Sequence, residues 1–210
     1  KLFTIYLKRY ILFKSMKAEN NTHGNYDYWL WENYYTPKEV KNFNKLLEKN
    51  SKIVEPRSSH ATNSKGQSLK NVKTFLIPLK KCGKYITPIL DDVYYRNNIN
   101  FGYNLYDEYS KKDCGNYNIY SSDTKASYNW HMDKTKTLVF DIKWTILINL
   151  SEKKYSGGMF EIFNQGGYEV SNFISGSMLM FKSHLNHRVT PVTEGERRSF
   201  TIFLSGPKWK

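Results

Sequence analysis

Residues 176–199 read GSMLMFKSHLNHRVTPVTEGERRS, and the pattern of this stretch decides the fold class. Ser177 to Phe181 has the length and apolar density of a buried strand. Further on, Arg197 to Leu204 alternates, with Arg197, Ser199 and Thr201 on one face and Phe200, Ile202 and Leu204 on the other. The same grain continues upstream. Trp144 to Leu150 is a strongly apolar strand, Tyr155 to Gly158 a turn leading into Met159 to Phe163, and Gly166-Gly167 a second turn. Phe101 to Tyr106 and Tyr117 to Tyr120 also read as strands. Short strands separated by turn signals predict a mainly β fold with flanking helices (α+β) around a double-sheet jelly roll.

The first hundred residues are more mixed. Residues 19–25 read as a loop in which His23 stands alone as a surface histidine, and Tyr28 to Tyr35 as a short aromatic strand. Thr36 is a helix N-cap, with Pro37 at the first helical position and Glu39 closing a capping box. Val40, Phe43, Leu46 and Leu47 then keep helical spacing to about Lys49. Residues 55–70 are polar and rich in Ser, Asn and Gly, a loop of the length that covers sites and also of ordinary connections. Val72 to Ile77 is a strand stopped by Pro78, and Ile86 to about Arg96 a helix burying Ile86, Ile89, Leu90 and Val93. No repeat or linker marks a second domain. One domain over 1–210 is expected, with 1–100 as support and 101–210 as the core.

The 210 residues carry a net charge of +13 and 16% aromatic side chains, 17 of them Tyr. Aromatic enrichment suits strands. A positive balance fits a polyanionic partner. Bias toward Lys, Asn, Ile and Tyr fits it equally, and the basic residues are scattered rather than striped. A nucleic-acid partner is therefore possible but not favoured. Lys8 and Arg9 interrupt the apolar start, no run has membrane-spanning length, and no cleavage-site pattern follows, so no membrane association and a cytoplasmic location are expected. Cys82 and Cys114 lack metal-ligand spacing; a reduced pair is expected over a disulfide.

Chemistry concentrates at Asn129-Trp130-His131-Met132-Asp133. On a strand, His131 and Asp133 point to one face, and His187 on another strand would complete two histidines and a carboxylate on one side of a metal. That set leaves coordination positions open and is the donor set of non-haem Fe(II) oxygenases.

Around these residues the chain resembles the prolyl 4-hydroxylase-like Fe(II)/2-oxoglutarate dioxygenases, and within them the PKHD-type hydroxylases and their phage relatives. The resemblance rests on the Gly-strand-Phe181 run, His187-x-Val189, Pro191-Val192 and Gly195-x-Arg197-x-Ser199, with His131-x-Asp133 upstream and Gly206-Pro207 in the tail. Lys182 departs from it, standing where the family has Pro. The resemblance covers residues 101–210 well and Tyr28 to Leu47 loosely. It implies a double-stranded β-helix (jelly-roll/cupin-like) core. It also implies His131, Asp133 and His187 as the iron ligands, with His187 preferred to His184 by the His-x-Val-x-Pro register. His184 and His60 are then polar neighbours of the site. Arg197 would grip the distal carboxylate of 2-oxoglutarate with its guanidinium fork, a geometry Lys lacks. Tyr120, Ser199 and Asn149 would add co-substrate contacts. Arg57, Tyr128, Trp130 and Tyr155 are candidates for the substrate face.

The implied reaction consumes O2 and 2-oxoglutarate, releases succinate and CO2, and hydroxylates a C–H bond, with ascorbate as reductant. A prolyl residue in a peptide or protein is the preferred substrate. The alternatives are nucleic acid, a free amino acid or small metabolite, or a non-catalytic binding role. Oligomeric state is open. Phe203 stands where nucleic-acid demethylases carry a second inward arginine.

Overall fold

The computed structural model describes residues 22–51, 69–106, 114–135, 138–163, 168–170 and 173–209. The order is β1 (Thr22–Gly24), β2 (Tyr28–Trp31), α1 (Pro37–Ser51), β3 (Lys73–Pro78) and α2 (Gly83–Arg96), the last entered by a 3₁₀ turn at Leu79–Cys82 and closed by a π-turn at Asn97–Phe101. Then come β4 (Cys114–Ser121), β5 (Tyr128–His131), β6 (Phe140–Asn149), β7 (Ser156–Gly157), β8 (Phe160–Phe163) and β9 (Tyr168–Glu169). β10 (Met178–Lys182), β11 (Asn186–Val189), β12 (Val192–Glu194) and β13 (Glu196–Pro207) complete the chain.

Seven strands form one sheet in the order β1-β2-β10-β6-β13-β4-β3, four form a second in the order β5-β11-β8-β9, and β7 pairs with β12. Every pairing is antiparallel, for instance Phe200 opposite Ile148 and Leu179 opposite Leu147. Alternation along the large sheet divides the core. Ile146, Ile148, Phe200 and Ile202 face the helices and pack with Phe43, Leu47, Ile86, Ile89 and Val93. Leu147, Leu179 and Phe181 face the small sheet and meet Phe160, Ile162, Val189 and Val192. Burying each Leu, Ile or Phe in these layers contributes roughly 1.5–3 kcal/mol.

Helix α1 begins as its sequence dictates. The Thr36 amide and hydroxyl donate to the Glu39 carboxylate at 2.9 and 2.8 Å, and the Glu39 amide donates back to the Thr36 hydroxyl. Phe43 on this helix stacks on Tyr85 of α2 with centroids 4.2 Å apart.

Several elements differ from expectation. Residues 22–24 form an edge strand paired with β2 instead of a loop, and β2 stops at Trp31. Helix α2 starts three residues before Ile86. Phe101 to Tyr106 is not a strand. Phe101, Tyr103 and Leu105 do alternate inward onto the helix-side core, but the backbone meets β13 only through the Tyr106 amide, which donates to the Ser205 carbonyl at 3.0 Å, among the described residues. Gly102 takes a left-handed φ of +69° after the π-turn, and the Asn97 side chain accepts from the Trp144 indole at 2.9 Å and donates to the Tyr103 carbonyl at 2.8 Å. Side-chain packing therefore gives a period of two without a ladder. Cys82 and Cys114 are not joined by a disulfide. Gly166-Gly167, His60 and most of the 55–70 segment, including Arg57, lie outside the described residues. No helix among the described residues is long and apolar enough to cross a membrane.

Candidate metal centre

Strand β5 delivers His131 through a bulge. His187 on β11 faces His131, but Val189, two residues on, faces Tyr128, three residues back, so β5 carries one extra residue. The bulge turns both Tyr128 and His131 inward, where plain alternation would oppose them. Their rings stack 3.4 Å apart at 12°. β5 ends at His131, so Asp133 follows the strand instead of lying on it. Its backbone amide donates to the Ser183 carbonyl at 3.0 Å, which pins the segment to the β10–β11 turn and keeps the carboxylate on the His131 side.

The ligand atoms of His131, Asp133 and His187 all lie within 4.8 Å of one another. Each histidine places Nδ1 against the carbonyl two residues upstream, His131 on Asn129 at 2.7 Å and His187 on Leu185 at 2.9 Å. A carbonyl can only accept, so Nδ1 carries the proton and Nε2 presents the lone pair. The Asp133 Oδ2 accepts from the Thr145 hydroxyl at 2.8 Å and lies 3.3 Å from His187 Nε2, and Oδ1 lies 3.8 Å from His131 Nε2. Burial, with His187 beside it, holds the His131 imidazole down to about 4. Burial pushes the Asp133 carboxyl up, but the two histidines and the Thr145 hydroxyl outweigh it and leave the group below the ordinary carboxylate range. Neutral imidazoles and an ionised carboxylate are the forms that bind a divalent metal. His184 is not part of the cluster; it meets Trp209 instead.

A second feature is linked to this cluster through Tyr120, which feels the charges of both Arg197 and Asp133. Arg197 on β13 is 1% exposed, and its Nε and both terminal nitrogens have no hydrogen-bond partner among the described residues. The Ser199 hydroxyl, next on the same face, is also buried without a partner among them. A buried guanidinium without an anion is costly, so this pair fits a carboxylate that none of the described residues supplies. Tyr120 stands opposite Arg197 in the β4–β13 register, its ring 5.1 Å from the guanidinium carbon, and burial pushes its hydroxyl up to about 12. Arg198 points the other way and binds Glu48, Glu196 and the Tyr117 hydroxyl.

Residues 115–205 match the 2OG-Fe(II) oxygenase superfamily. That match covers less than half of the chain. A PKHD-type hydroxylase of Nitrosomonas europaea is 30% identical over 96 residues, 42% of this chain and 41% of the relative, so the match spans about two fifths of that protein's length. The fold is that of the 2OG oxygenase double-stranded β-helix. A prolyl-4-hydroxylase from Pseudomonas putida superposes with a TM-score of 0.65 at 16% identity, covering 87% of this chain and 94% of that one. A Trichoplax adhaerens prolyl hydroxylase, solved with a hypoxia-inducible-factor degradation-domain peptide, gives 0.62 at 17% identity, covering 97% and 93%.

Within this fold, other expected residues fall differently. Asn149 faces inward, but its amide donates to the Tyr155 hydroxyl at 3.1 Å and the Phe173 carbonyl at 3.0 Å, and its oxygen accepts from the Ser151 amide. It anchors neighbours and offers no free donor to a co-substrate. Tyr155 accepts from the Asn149 amide and lies with the Arg197 stem around Gly158, where an added Cβ would meet both. Trp130 lies on the outer face of the small sheet, edge-on to Phe163 and under the Arg188 guanidinium. Of the three substrate candidates among the described residues, Tyr128 is the one whose ring stacks on a metal-site residue; Arg57 is outside the described residues.

Lys70 was not anticipated. Its ammonium donates to Thr74 at 2.7 Å and Asn118 at 3.0 Å, sits 5.1 Å from the Tyr128 ring centroid, and is pushed down to about 8 by burial, against the pull of Asp133. The inward polar residues Thr74 and Asn118, alternating with apolar ones on β3 and β4, are the sequence signal that a polar group enters there.

Proposed function

We propose that this protein is an Fe(II)- and 2-oxoglutarate-dependent dioxygenase that hydroxylates a prolyl residue of a peptide or protein, releasing succinate and CO2. The observation that carries the reading is the buried Arg197 guanidinium, unpaired among the described residues and linked to the His131–Asp133–His187 cluster through Tyr120, which feels the charges of both Arg197 and Asp133. A metal site alone has many uses; a metal site linked to an orphaned carboxylate receptor fits a metal-chelating dicarboxylate. His131, Asp133 and His187 would hold the iron, and Arg197 with Ser199 and Tyr120 the distal carboxylate. Iron with 2-oxoglutarate and O2 supplies the oxidising chemistry, with ascorbate as the reductant that keeps the iron ferrous.

The chain's own residues do the positioning. The Asn129 and Leu185 carbonyls set the histidine tautomers, and the Thr145 hydroxyl, itself 2.9 Å from Ser183, holds the carboxylate. Phe160, Phe181 and Tyr128 pack around the imidazoles and keep water from them. A peptide substrate is supported by the fold shared with the Trichoplax enzyme and its bound peptide.

Incubation with proline-containing peptides, iron, 2-oxoglutarate and labelled O2 tests the proposal by mass spectrometry. One labelled oxygen on proline, absent with His131→Ala, is the expected result. Succinate release with unmodified peptides would reject the prolyl substrate and keep the oxygenase.

A further inference from the structure

A cavity of about 430 Å3 opens between the β1–β2 hairpin and the π-turn, apart from the metal cluster. Its walls are the rings of Tyr26, Trp29, Phe101 and Tyr103, with Lys182 among them. The hairpin can lie this close because Gly24 has no side chain; a Cβ there would stand 2.0 Å from the Trp29 indole. Two polar groups at this cavity have no acceptor among the described residues. Lys182 is 2% exposed, and among the described residues neither a hydrogen bond nor an ion pair engages its ammonium, which lies 3.0 Å from the Tyr26 ring centroid. The Trp29 indole N–H is sealed and unpartnered, and the Arg96 guanidinium lies 3.9 Å from the centroid of the same indole.

Asp27 is the nearby carboxylate, its charge reaching Tyr103 and His184, but no ion pair joins it to Lys182 among the described residues. An ammonium so little exposed without a direct partner is expensive, and a cation–π contact with an exposed ring recovers only part of the cost. Tyr26 is 82% exposed, so this wall opens to solvent and an occupant can continue out of the cavity. Aromatic walls suit the rings of an extended proline-rich segment, the lone ammonium suits a carboxylate, and the net charge of +13 favours an acidic partner over a basic one. The cavity also adjoins the metal site through the chain. Lys182 precedes Ser183, whose carbonyl accepts from the Asp133 amide and whose hydroxyl lies 2.9 Å from that of Thr145.

We propose that this cavity is a second binding site, for an acidic, proline-containing segment of a peptide substrate, with Lys182 as its carboxylate contact and the four rings as its platform. The inference rests on the peptide-substrate reading. The departure from the family's proline at position 182 thereby becomes a specificity feature of this chain.

Calorimetric titration of the 210-residue chain with a proline-rich peptide carrying Asp and Glu, and with its Asn and Gln counterpart, tests it. The acidic peptide should bind about tenfold more tightly, with added salt narrowing the gap. Lys182→Met should abolish the difference, and Tyr26→Ala, at an exposed position that cannot unfold the core, should weaken the acidic peptide several-fold. Equal binding of both peptides to the wild type, or undiminished preference in Lys182→Met with unaltered circular dichroism, would overturn the proposal. Binding of benzoate alone, with neither peptide bound, would overturn it as well. The titration is repeated in His131→Ala without iron. Retained binding there shows that the second site stands independently of turnover, so its failure is not confused with failure of the oxygenase reading.

Discussion

Replacing Arg197 by Met separates what the guanidinium does to the fold from what it does for a ligand. In the ligand-free protein its three nitrogens are buried without partners among the described residues, a situation that costs several kcal/mol in the folded state. Met keeps most of the side-chain volume and removes the charge. The ligand-free variant should therefore unfold at the wild-type temperature or above it. Adding iron and 2-oxoglutarate without O2, at about 100 times the dissociation constant, should stabilise the wild type by about 2.7 kcal/mol. At roughly 2–4 °C per kcal/mol for a chain of this size, the melting temperature should rise by roughly 5–10 °C. Arg197→Met should show none of the 2-oxoglutarate-dependent part, and Arg197→Lys, which keeps the charge and loses the fork, only a fraction. Differential scanning fluorimetry reads all three. A variant less stable than wild type without ligand, yet still stabilised fully by 2-oxoglutarate, would show that Arg197 is structural and the carboxylate receptor lies elsewhere.

Gly158→Ala should weaken 2-oxoglutarate binding by about tenfold, because Gly158 sits at φ +61° and a Cβ there would press on Arg197 Cδ at 3.0 Å and Val192 at 2.9 Å; calorimetry showing unchanged affinity would contradict this. Lys70 is held at about 8 in the fold against 10.5 for a free lysine. Between those values the unfolded chain binds more protons, so metal-free protein should gain stability, on the order of 3 kcal/mol, as pH rises from 8 to 10.5. Urea unfolding of Lys70→Met should lack that gain. His131 follows the same sign at lower pH: its folded value of about 4 lies below the free 6.5, so metal-free protein should lose stability as pH falls from 6.5 to 4, and His131→Leu should flatten the curve.

The legible parts of this chain are those where side-chain period and backbone pairing agree. The β6, β10 and β13 strands alternate between two buried layers, and the capping box of Thr36 and Glu39 closes as its spacing requires. Arg197 and Arg198 separate for the same reason, since neighbours on a strand face opposite ways. Legibility fails where tertiary contacts override the local pattern. Phe101, Tyr103 and Leu105 have a strand's alternation because they pack on one core, while Gly102 and Asn97 shape the backbone otherwise. The bulge before His131 is set by pairing with β11 and has no local signal, so Tyr128 turns inward and Trp130 outward. Asn149 sits where alternation puts it, but its partners Tyr155 and Phe173 come from loops whose approach no local pattern encodes. Lys70 reads as the end of a polar loop, and only the packed sheet reveals the oxygens of Thr74 and Asn118 around its ammonium.

The most direct test of the metal-and-co-substrate site is succinate formation from 2-oxoglutarate by the iron-loaded chain under O2, measured beside iron content for the wild type and for Asp133→Ala. The account predicts stoichiometric iron and steady succinate release in the wild type, and loss of both in a variant that remains folded. Succinate release at the wild-type rate by Asp133→Ala, or a folded wild type that binds no iron, would contradict it.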